Sequence, residues 1–187
     1  VFALARTYAH LASSSATDTS YQISINGTQT AAFTISSNSV SDAVSKINAI
    51  SASTGVMASA TTENKVLLTD SDGDDIIVTN GSTGTALTLK AVANDGVTEQ
   101  TAAAISLAAN GGNDTSQVVG TLRLTSSSGF TVTQTNGSSD TFFADGLQTA
   151  GLVSVGTIDI STQIGASYSI ATIDGGLERV SSMRGSL

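Results

Sequence analysis

Apolar and polar residues alternate through most of this chain, and the period changes once, near residue 157. Alternation at every second position marks a half-buried strand, because successive side chains leave opposite faces of a sheet. Tyr21, Ile23 and Ile25 alternate into Asn26-Gly27, a dipeptide suited to the left-handed backbone of a tight hairpin, with residues 32–35 as the return strand. A helix follows. Ser41 stands at its N-cap, Asp42 sits where the helix dipole favours a carboxylate, and Val44, Ile47 and Ile50 form its buried stripe. Gly55 supplies the left-handed residue that ends it. Strands resume at 56–60, 65–69 and 75–79, with Asn80-Gly81 as a second tight turn and 85–89 as another strand. Residues 95–107 are ambiguous: 99–104 favour helix, and Gly111-Gly112 closes the run. Residues 118–125 and 129–135 read as a hairpin pair, Asn136-Gly137 turns the chain toward Phe142-Phe143, and 152–155 form a last short strand.

Beyond residue 157 the apolar positions fall at steps of three and four: Ala166, Ile170, Ile173, Leu177, Val180 and, past Arg184, Leu187. That is a coiled-coil seam, which needs a facing helix. No long partner helix is evident, and the pattern stops without a cap, so the expectation is a piece of a longer protein. Val1, Leu4, Tyr8 and Leu11 repeat at similar steps, which predicts the tail of an amphipathic helix, or a linker, over 1–15. The predicted fold class is therefore α+β. An antiparallel β-rich outer region (16–155, in one domain or two) with one short helix stands on an α-helical, coiled-coil-type base that begins at 156–187.

The same closing stretch carries a resemblance. Asp159-Ile160-Ser161-Thr162, then Ala166, Ile170, Ile173-Asp174, Leu177, Val180-Ser181-Ser182, Arg184 and Leu187, resemble the start of the conserved C-terminal helix of bacterial flagellin. One departure is Gly175-Gly176, where that family carries a small residue and then alanine; each glycine costs about 1 kcal/mol in a helix interior, predicting a weak or bent point. Residues 21–90 resemble the "IN" module of flagellins and hook proteins, through Ile25-Asn26-Gly27, Ala43, Ile47-Asn48, Thr54-Gly55-Val56 and Leu67-Leu68-Thr69, leaving 91–155 as a second β part. The resemblance implies a structural subunit of the flagellar filament. It would serve motility, be exported without a cleaved signal peptide, lie outside the cell, and assemble with other flagellin subunits through conserved helices. Flagellar export and hook-associated proteins are the implied further partners, and a monomer unable to polymerise is expected of this stretch alone. O-linked sugars are implied as well, and Ser126, Ser127, Ser128, Ser138 and Ser139, near predicted turns, are the candidate positions.

Composition narrows the alternatives. With 187 residues the chain can build a real core, but aromatics are only 4% and cysteine and proline are absent, so that core rests on Val, Ile, Leu and Ala. A net charge of -8 argues against nucleic acid or an anionic membrane as partner. No run of eighteen apolar residues is present. The one dense carboxylate cluster, Asp70, Asp72, Asp74 and Asp75 around Gly73, is a weak candidate calcium loop. It lacks EF-hand spacing, and its twelfth position is Gly81, so an acidic solvated turn is the favoured reading. His10 is the single histidine, expected on a surface or helix face. Without cysteine or a second histidine a zinc site would depend on carboxylates, no nucleophile–base pair is evident, and no phosphate-cradling glycine loop is present. No catalysis and no cofactor are expected. The alternatives are a hook-associated junction protein, sharing the IN-type module, or a cell-surface β module that holds polysaccharide or calcium.

Overall fold

The computed structural model describes all residues except 110, 127, 134–146, 152, 162 and 187. The chain is α+β: antiparallel β-sheets with a C-terminal helix. It divides into two compact units, residues 4–123 and residues 124–187 with 1–3.

The larger unit is organised by the strand predicted least well. Residues Phe2–Ser13 form β1, not a helix, and pair antiparallel with β7 (Val66–Asp70) on one side and β9 (Leu87–Ala91) on the other. Thr7, Ala9 and Leu11 are buried, and so are Tyr8 and His10 between them, so both faces of this strand are covered over residues 7–11. A strand covered on both faces loses its two-residue period, and the three-and-four spacing of its apolar residues is incidental. The sheet continues to β6 (Val56–Ala60) and β10 (Ile105–Leu107) in the order β10-β9-β1-β7-β6, and β12 (Thr121–Thr125) also pairs with β1. Because β9, β10 and β12 all belong to it, this sheet runs past residue 90 without a break.

Asn26 and Gly27 have φ of 47° and 81°, so the turn is the left-handed pair its sequence requires. Its return strand is β4 (Thr28–Gln29) against β3 (Ile23–Ile25), not residues 32–35. Phe33–Ile35, as β5, pairs instead with β2 (Thr19–Tyr21), and the Tyr21 and Phe33 rings pack 6.2 Å apart. β3 also pairs with β8 (Ile76–Asn80), and β8 with β11 (Thr115–Val118), giving a four-stranded sheet. Helix α1 (Ser41–Asn48) buries Ala43 and Ile47, with Val44 and Ile50 half-covered beside them. Ser41 is its first helical residue and not its cap, and the Asp42 carboxylate accepts the Thr34 N–H at 2.8 Å, tying the helix start to β5. A short α2 (Ser51–Thr54) ends at Gly55, φ 74°.

Two further expectations change. Residues 95–107 hold a turn and β10, with no helix: Asp95 Oδ1 accepts the N–H groups of Val97 and Thr98, and Gly96 takes φ 68°. An aspartate and a glycine there favour the turn over the helix that the alanines suggest. Asn80-Gly81 is no two-residue hairpin, because Asn80 is buried at the end of β8 and its amide donates to Thr85 and Leu107 carbonyls.

In the smaller unit β13 (Thr131–Thr133) pairs with β14 (Leu147–Thr149), and not with β12 as predicted. Of the strand expected at 152–155, residues 153 and 154 are irregular and Val155 opens a 3-10 turn, Val155–Thr157. The turn predicted at Asn136-Gly137 and the pair Phe142-Phe143 lie outside the described residues. The unit closes with α3 (Gln163–Gly185), a helix of 23 residues.

Candidate assembly surface

Helix α3 carries a stripe of small residues and, beside it, the large apolar residues of the predicted seam. Ahead of its start the Asp159 carboxylate accepts from the Ser161 hydroxyl and from the Ser161 N–H, the latter at 2.8 Å, and these bonds hold its pKa below the usual carboxylate range. Ser169 is buried, and its hydroxyl donates to the carbonyls of Asp159 (3.2 Å) and Gly165 (2.8 Å). Gly165, Ser169, Thr172 and Gly176 recur at steps of four, three and four, so small residues line one stripe of the helix. Gly176 lies against the 3-10 turn: a Cβ there would sit 3.9 Å from Val155 Cγ2. The helix runs unbroken through Gly175 and Gly176.

The seam residues lie on a neighbouring stripe and face solvent. Ile170 is 62% exposed, Leu177 61% and Val180 53%, with Ile173 less open and Ala166 half-buried. Met183, which the sequence reading did not single out, is 55% exposed and extends the apolar surface by nearly a turn. Glu178, Arg179 and Arg184 are exposed around it, and Leu187 lies outside the described residues. Large apolar side chains repeated on one helix face are unusual on a free surface and are what a packing partner covers.

The other candidates are placed differently. Asp70 is 3% exposed, and its Oδ1 accepts the N–H groups of Asp72, Gly73 and Asp74 at 3.0 to 3.2 Å, so it folds its own loop. Asp75 accepts from the Gln117 amide, and the Asp74 carbonyl accepts the Thr7 hydroxyl at 2.7 Å. Among the described residues no group of three or more His, Asp or Glu side chains is set to hold a metal ion. Ser126 is half-buried and its Oγ accepts the Ser128 N–H, while Ser128 is exposed; Ser127, Ser138 and Ser139 lie outside the described residues.

One constellation was not foreseen. His10 is buried on β1, not on a surface or helix face, and its Nδ1 lies 2.9 Å from Glu99 Oε1. The same oxygen accepts from Lys65 Nζ at 2.7 Å, and Oε2 pairs with Lys90 Nζ at 3.0 Å. Lys65 also pairs with Glu63. Hydrogen bonds from Lys65, His10 and Lys90 pull the Glu99 carboxyl down to about 2, and Lys65 is raised by Glu63 and Glu99 in turn. The strand register sets His10 opposite Lys90 across 80 positions of sequence, a juxtaposition no local pattern announces. Both oxygens of the Glu99 carboxylate are engaged, Oε1 by Lys65 and His10 and Oε2 by Lys90, so the cluster reads as a clasp and not a reactive centre.

No helix among the described residues is long and apolar enough to cross a membrane. No protein-family model and no curated protein matches the chain.

Proposed function

We propose that this chain is the outer β region and the beginning of the conserved C-terminal helix of a bacterial flagellin, a structural subunit of the motility filament outside the cell. The observation that carries the reading is the solvent-facing stripe Ile170, Ile173, Leu177, Val180. It falls in the stretch whose D-I-S-T and V-S-S-x-R pattern resembles that family. In this reading α3 joins a coiled-coil base, where knobs from its stripe seat between residues of facing flagellin helices. The β region projects outward, and the activity is assembly without catalysis. The IN-like residues support it as well. Asn26 accepts the Ile77 N–H through Oδ1, and Asn48 both donates to and accepts from the Ala58 backbone, so each Ile-Asn pair anchors an apolar side chain and a strand together.

Electron microscopy tests the proposal. Joined to the terminal helices of a flagellin, the chain should form filaments, and Leu177→Asp with Val180→Asp should abolish them while the circular dichroism of the β region stays unchanged. Absence of filaments from the joined, unsubstituted chain, even with seeds, overturns the filament reading in favour of a hook-associated junction protein.

A further inference from the structure

We draw no further inference here: the strongest candidate, the exposed apolar stripe of Ile170, Leu177, Val180 and Met183 on the C-terminal helix, belongs to the surface already described, and nothing in the structure shows what covers it.

Discussion

At the scale of single residues the larger unit is held by side chains that complete its backbone. Asn48 closes a two-bond ring with Ala58, at 2.9 Å and 2.7 Å, on the strand that edges the six-stranded sheet. Asn48→Ala leaves a strand N–H and C=O without that partner, and a loss of about 2 kcal/mol is expected in urea unfolding. Gly73 and Gly120 meet where β1, the acidic loop and the approach to β12 cross. A Cβ on Gly120 would run into the Gly73 carbonyl, and one on Gly73, at φ 85°, would strike Ala5. Gly120→Ala should therefore destabilise by about 2 kcal/mol or more, against a few tenths for an alanine at the open Gly111, measured by the same titration. Glu99 gives a pH signature. Its carboxyl is depressed in the folded chain from the ordinary 4.5 to about 2, so its stabilisation is fully present above pH 4.5 and fades as the pH falls toward 2. Solvent screening at this partly exposed site reduces the contribution to about 1–2 kcal/mol. Glu99→Gln should lower stability by that amount at pH 7, and the gap to the parent chain should narrow steadily below pH 4.5. A gap that stays constant down to pH 2 would show that the cations do not depend on the carboxylate.

Elements were legible in the sequence where local chemistry decides them and obscure where distant pairing does. Asn26-Gly27 and Gly55 mark their turn and helix end because only certain residues accept a positive φ, and all three adopt one. Strand Val56–Ala60 was read at its observed bounds for a related reason: its burial alternates from Val56 to Ala58, with a left-handed glycine before it. β1 was misread because tertiary burial on both faces erased the period that would have named it. The hairpin expected of residues 118–135 failed similarly, since β12 finds its partner in β1, more than a hundred residues away. Of the candidate site, the α3 stripe was readable from periodicity alone, whereas the Glu99 clasp depends on register and was invisible. Within α3 the glycine pair invites a direct experiment. Nothing lies within 4 Å of a Cβ at Gly175, and at Gly176 it would make only an ordinary contact with Val155. Gly175→Ala should thus strengthen the helix by about 1 kcal/mol, seen as a gain in far-ultraviolet helical signal on mild heating.

Over the whole molecule, the two units differ in what stabilises them. All of the large buried core, from Ala9 through Leu68 and Ile76 to Val118, belongs to residues 4–123. The closing helix has its small-residue stripe and the buried Ser169 to hold it, with Ile164 and Tyr168 half-buried, while Ile170, Ile173, Leu177, Val180 and Met183 stand in solvent. A helix of this length with little apolar burial is marginal in water, because its stability comes chiefly from the face it packs. Hydrogen exchange should accordingly be slowest in β1, β7 and β9 and fast along Ile170–Met183, where opening is expected to cost no more than about 1–2 kcal/mol. In the proposed filament one term of that balance would change. Covering Ile170, Leu177 and Val180 removes apolar surface worth about 1.5 kcal/mol or more per side chain, so α3 amides should slow at least a hundredfold while β1 and β7 hardly change. Equal slowing in both units would extend the contact surface to the β region. Unchanged exchange in α3 within an assembled filament would remove the helix stripe as the assembly surface, whatever the sequence of its residues resembles.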